Sequence, residues 1–90
     1  MGRCVLARIR GGVQGVGFRY ATLQTARELG AHGYVMNRPD GSVEAVFEGD
    51  PAVVERCLAF VRQGPSGARV SEVETEALPA CELPEFEIRS

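Results

Sequence analysis

The sequence predicts an α+β domain in the order strand, helix, strand, strand, helix, strand, with a short strand added near the C-terminal end. The sheet is mainly antiparallel and both helices lie on one of its faces. Three observations predict this. Val5, Ala7 and Ile9 alternate with more polar neighbours, the period-two pattern of a strand. Two later stretches carry buried-type residues at helical spacing, Phe18, Thr22, Ala26 and Leu29 in one and Val54, Cys57, Leu58 and Val61 in the other. Between them stand two strand-like runs joined by Arg38-Pro39-Asp40-Gly41, whose chemistry is that of a tight turn.

The elements follow in order. Residues 4–10 form the first strand, and a glycine-rich stretch, residues 11–17, leads from it into a helix that begins at about Arg19 and stops at Gly30, a good C′ residue. Residues 33–37 and 42–48 pair as a hairpin, with Glu44 and Glu48 on its wet face. Asp50 and Pro51 are suited to the N-cap and first position of the second helix, which Gly64-Pro65-Ser66-Gly67 ends. From Val70 to about Ala77, Val73 and Thr75 face one side while Glu72, Glu74 and Glu76 face the other. Phe86-Glu87-Ile88 is a short last strand at an edge. The βαββαβ order with two helices on one sheet face is that of the ferredoxin-like plait, and residues 1–90 are expected to make one domain.

Composition narrows the function classes. At 90 residues, with 44% hydrophobic and 24% charged residues, the chain suits a soluble globule with one core. Its net charge is −2 and its arginines are scattered, so no basic patch offers itself to nucleic acid. All ten cationic residues are arginine, which reads as codon bias rather than heat adaptation. The three cysteines, Cys4, Cys57 and Cys81, are far apart with no C-x-x-C pair, which argues against a disulfide framework and against zinc. They read as reduced thiols, Cys57 being plain core on an apolar helix face. The single histidine, His32, stands in a loop-like context away from them. No signal-peptide or membrane-spanning run is evident, and a cytoplasmic location is expected.

The glycine stretch and Arg19 carry the chemistry. Glycines let successive backbone N–H groups converge on one point, and the start of the following helix adds unpaired N–H groups and the positive end of its dipole. Together they make an anion cradle. Arg19 supplies a planar fork of donors suited to two phosphate oxygens. The P-loop pattern fails for want of a lysine, and Gly12-x-x-Gly15-x-Gly17 is not the dinucleotide fingerprint. On physics alone, a phosphate site and an ordinary flexible connection are about equally supported. Asn37, at a strand end before a proline turn, reads locally as a turn former.

A resemblance changes that balance. Residues 11–19, Gly-Gly-Val-Gln-Gly-Val-Gly-Phe-Arg, resemble the acylphosphatase signature G-x-V-Q-G-V-x-[FY]-R. Residues 33–44 resemble the family's second signature, in which G-[FYW]-[AV]-x-N is followed by a turn and G-x-V. Gly64-Pro65, Ala68-Arg69-Val70 and Phe86-x-Ile88-Arg89 are similar to further family features, so the resemblance spans the chain. Two departures stand out. Gly12 replaces a larger, often basic residue, which should loosen the loop, and Ser90 stands where many relatives have a terminal aromatic, which should weaken edge-strand packing.

The resemblance implies hydrolysis of acyl phosphates, carboxylic–phosphoric mixed anhydrides, to a carboxylate and inorganic phosphate. It implies that Arg19 binds the phosphoryl group with the backbone N–H groups of Gln14, Gly15, Val16, Gly17 and Phe18. It further implies that Asn37 orients the attacking water. No cofactor and no metal is called for, inorganic phosphate or sulfate should compete with the substrate, and a monomer without nucleic-acid or membrane partners is expected. Asp40 is better explained by its turn and Glu44 by a solvent-facing position than by a carboxylate pair. A catalytically idle anion- or ligand-binding module on the same plait is the alternative. An RNA-binding sheet would need exposed aromatics, for which Phe47 is the candidate. Acylphosphatase-like domains also occur in larger hydrogenase-maturation proteins, and the free-standing enzyme is the preferred expectation.

Overall fold

In a computed structural model, residues 2–80 and 82–90 are described, so Cys81 lies outside the described residues. Strand β1 (Arg3–Gly12) is followed by helix α1 (Phe18–Leu29), the hairpin strands β2 (His32–Asn37) and β3 (Val43–Gly49), helix α2 (Pro51–Gln63), strand β4 (Arg69–Leu78) and the short β5 (Glu87–Arg89). The sheet order is β4-β1-β3-β2-β5. All neighbours are antiparallel except β5, which lies parallel to β2. This is the ferredoxin-like plait that the element order predicts, with one strand added beside β2.

Alternation decides which side chains make the core. Val5, Ala7 and Ile9 of β1, Val35 of β2, and Val43, Ala45 and Phe47 of β3 are buried against one face. Phe18 and Ala26 of α1 and Val54, Cys57, Leu58 and Val61 of α2 close over them. Burying one such Val or Leu side chain contributes about 1.5–3 kcal/mol against about 0.5–2 kcal/mol for a cap, and each helix buries several such apolar groups, so the apolar stripes hold the helices down. The caps then set their ends. Asp50 Oδ1 accepts the Ala52 N–H at 3.0 Å with Pro51 at the first position, and α1 ends at Gly30 as expected.

Three expectations need correction. Glu44 is not solvent-facing but only 6% exposed. Its Oε2 accepts the Tyr34 hydroxyl at 2.9 Å, while its Oε1 lies 3.3 Å from Arg38 Nη1 and 3.7 Å from Arg8 Nη2. Alternation does put Glu44 on the face away from the helices, but long side chains from its neighbours fold over it. Burial, reinforced by the Glu44 carboxylate, pushes the Tyr34 hydroxyl above its ordinary pKa. Phe47 is fully buried rather than available to RNA bases, and stacks on Phe86 with ring centroids 5.4 Å apart. His32 is the first residue of β2, not a loop residue; it is exposed, with Nδ1 2.8 Å from the Leu83 carbonyl oxygen.

The edge at β5 is anchored by Phe86 from inside and by the Arg89 guanidinium, which lies 4.3 Å from the Tyr34 ring centroid on the outer face. A close approach at Gly33 completes this region. Gly33 has φ 132°, its N–H donates to the Pro84 carbonyl at 3.0 Å, and a Cβ there would stand 1.8 Å from the Val46 carbonyl oxygen. Neither partner is a flexible side chain end, so the strands must separate to admit it. Gly33→Ala is expected to destabilise the fold by about 3 kcal/mol or more, lowering Tm by about 12 °C or more. A thermal melt within about 3 °C of the parent would contradict this contact.

Candidate active site

The site is built where β1 hands over to α1. β1 runs on through Gly12, which pairs with Arg69 of β4. Val13 then turns into the core. Gly15 and Gly17 adopt the left-handed conformation, with φ 75° and 78°. A side chain would be strained at either position for conformational reasons alone, since open space surrounds both Cβ positions. Gly17 is also the N-cap of α1 and has no side chain to cap it, and no acidic residue follows in the first turn. The first intrahelical bond joins the Ala21 N–H to the Gly17 carbonyl at 3.0 Å. The N–H groups of Phe18, Arg19 and Tyr20 therefore open the helix without a side-chain cap, at the positive end of its dipole.

Arg19 is half-buried and, among the described residues, has no ion pair or hydrogen bond. Most other arginines differ. Arg3, Arg8, Arg10, Arg38 and Arg89 pair with carboxylates, and Arg27 donates to the Phe86 carbonyl at 2.9 Å. Arg56, Arg62 and Arg69 are exposed to solvent. Arg19 thus combines partial burial with a fork of donors that no described residue uses.

Asn37, the last residue of β2, shares the core-facing side of its strand with Val35 and lies opposite Val43. Its Oδ1 is buried and has no hydrogen-bond partner among the described residues. Such an acceptor is uncommon, because an unmet buried polar atom costs about 1–3 kcal/mol. The turn that follows does not use the Asn37 amide. It is closed by the Arg38 N–H to the Ser42 carbonyl at 2.8 Å and by Asp40 Oδ1, which accepts from the Ser42 hydroxyl at 2.6 Å and the Ser42 N–H at 3.0 Å. Those two bonds hold the Asp40 carboxyl down to about 2, so Asp40 is a turn residue, as its context predicts.

Gly15, Gly17, Phe18, Arg19 and Asn37 come together around one cavity of about 250 Å³. Gln14 and Val16, named with them from the sequence, do not line it. Val16 packs against the core. Gln14 Nε2 donates to the Arg38 carbonyl at 2.8 Å and the Ser42 carbonyl at 2.9 Å, so one amide ties the glycine loop to the turn beyond Asn37. At about 1 kcal/mol for each bond, this tie holds the two halves of the site in register.

Val13, Tyr20 and Ile88 also line the cavity and were not foreseen. Tyr20 carried a signal, as a large aromatic beside Arg19 and off the buried stripe of its helix. Ile88 arrives through the pairing of β5 with β2, opposite Val35, which no local pattern announces. Cys57 is buried in α2 and its thiol is pushed up to about 11 by burial, so it is core as expected and no nucleophile. Among the described residues no group of three or more His, Cys, Asp or Glu is arranged to hold a metal ion. No helix of the described residues is long and apolar enough to cross a membrane.

The geometry now stands beside known proteins. The family model for acylphosphatase matches residues 5–88. The chain belongs to the acylphosphatase family. It is 56% identical over 69 residues to an acylphosphatase of Thermococcus kodakarensis, covering 77% of this chain and 76% of that one. It is 49% identical over 86 residues to an acylphosphatase of Yersinia pseudotuberculosis, covering 94% of each. Its fold is similar to that of the acylphosphatase from Bacillus subtilis, with TM-score 0.93, 30% identity and full coverage of both chains. Membership makes this acylphosphatase a hydrolase acting on acid anhydrides and sets aside the idle binding module.

Proposed function

We propose that this acylphosphatase binds the phosphoryl group of an acyl phosphate at the uncapped start of α1 and directs water onto the phosphorus. Arg19 and the backbone N–H groups between Gln14 and Phe18 take the non-bridging oxygens, and Asn37 Oδ1 accepts a hydrogen bond from the attacking water. As the water oxygen bonds to phosphorus, the bond from phosphorus to the acyl oxygen breaks. The carboxylate leaves with that electron pair, and the proton lost by the water passes to solvent. A carboxylate is a good leaving group, so neither a strong base nor a covalent nucleophile is needed. Positioning and charge stabilisation suffice.

One observation carries the reading: a half-buried arginine and a buried amide oxygen, neither with a partner among the described residues, line the same cavity at an uncapped helix start. A glycine loop that binds phosphate and a monomer acting in the cytoplasm belong to the same reading, as do residues 1–90 serving as one catalytic domain. The free, buried thiol of Cys57 supports that compartment, and the continuous core supports one domain.

The test is an assay of purified protein on a simple aryl acyl phosphate. Hydrolysis is expected to continue in excess chelator and to be inhibited competitively by inorganic phosphate or sulfate. Full loss of activity in chelator, restored by a divalent metal, would overturn the mechanism.

A further inference from the structure

We propose that Tyr20 and Ile88 form the wall against which the acyl group lies, so that this enzyme selects acyl phosphates whose acyl part is uncharged and apolar. Aromatic and branched aliphatic acyl groups are the class it fits. This rests on the assignment of Arg19 and Asn37 to the phosphoryl end.

Single exposed apolar side chains are ordinary on a protein surface. Here, among the described residues, the exposed large hydrophobic side chains are Tyr20, at 73%, and Ile88, at 37%, and both line the cavity that holds Arg19 and Asn37. They come from different elements. Tyr20 is in the first turn of α1, directly after Arg19, and Ile88 is in the middle of β5. The parallel pairing puts Ile88 opposite Val35, two residues before Asn37 on β2. Two unrelated segments thus bring their uncovered apolar groups to one mouth, next to the residues assigned to the phosphoryl group.

Charge sharpens the class. Arg19 is the charged residue on the lining, and the phosphoryl group uses it. A second carboxylate or phosphate on the acyl part would have no counter-ion there, and setting it against Tyr20 and Ile88 would strip its water without replacement. An apolar acyl group instead releases water from both partners. Phe18 and Val13, themselves buried, extend the apolar lining inward from the rim.

The test compares kcat/KM for benzoyl phosphate, acetyl phosphate and succinyl phosphate in the parent, in Tyr20→Ala and in Tyr20→Ala/Ile88→Thr. The parent is expected to prefer benzoyl phosphate and to use succinyl phosphate poorly. In the double variant the benzoyl-to-acetyl ratio should fall about tenfold, with most of the change in the benzoyl arm. Inhibition by inorganic phosphate should stay within about twofold of the parent. An unchanged ratio in Tyr20→Ala/Ile88→Thr, or in Tyr20→Ala alone should the double variant not fold, would overturn the proposal. Equal use of succinyl and benzoyl phosphate by the parent would do the same. A parent that hydrolyses none of the three would instead overturn the assignment of Arg19 and Asn37, and this proposal with it.

Discussion

Arg19→Ala is expected to lower kcat/KM for an acyl phosphate by about 10³-fold or more and to weaken inhibition by inorganic phosphate at the same time. On the proposed assignment one side chain bears both roles, because the fork that would bind phosphate in the ground state would also meet the charge that spreads over the phosphoryl oxygens in the transition state. Arginines that do this elsewhere contribute about 10³–10⁵ in rate. The fold should not suffer. Arg19 has no internal partner to lose among the described residues, and alanine is the better helix former. A melt within a few degrees of the parent would therefore accompany the loss of activity. Arg19→Lys should recover little, since an ammonium is a point charge and cannot span two oxygens in a plane. Near-normal turnover and phosphate affinity in Arg19→Ala would show that the phosphoryl group binds elsewhere.

Asn37→Ala should separate chemistry from binding. Removal of one well-placed polar group from a catalytic site costs about 10²-fold or more in rate, so turnover should fall by that order. Inhibition by phosphate should change by about twofold at most, because Arg19 and the loop amides remain. Stability is the discriminating readout. A turn-forming asparagine would lower Tm when removed, but the turn here is held by Arg38, Asp40, Ser42 and Gln14. The Asn37 Oδ1 has no partner among the described residues, so its removal relieves an unmet polar atom rather than breaking a bond. Tm should stay level or rise slightly. A variant that melts early yet turns over at the parent rate would return Asn37 to a structural role.

The contrast between the two residues shows what a sequence can say. Arg19 was a candidate from physics, since glycines followed by an arginine at a helix start can make an anion cradle, though an ordinary flexible connection was about equally supported until the family signature was matched. Asn37 was not. Beside Pro39 and Asp40 it reads as a turn residue, and only the match to the family's second signature favoured another role. That its oxygen lies at a cavity with no partner among the described residues is a tertiary fact, because β2 must first lie beside α1 before Asn37 and Arg19 can line one space.

The same division runs through the fold. The sequence by itself determined the element order, the core stripe of each helix, the start of α2 at Asp50 and the side of the sheet to which each strand residue points. These follow from periods of 2 and 3.6 residues and from local backbone chemistry, which act over a few positions. Only the tertiary structure decided what lies over each face. Glu44 points away from the helices as alternation requires, yet Arg8, Tyr34 and Arg38 cover it. Gln14 sits in the glycine loop as its motif suggests, yet its side chain ties that loop to the β2–β3 turn, 24 and 28 residues along the chain. Ile88 reaches the cavity because β5 pairs with β2. Direction is a local property of the backbone, whereas cover and partnership depend on strands distant in sequence, and those meet only when burial of the common core brings them together.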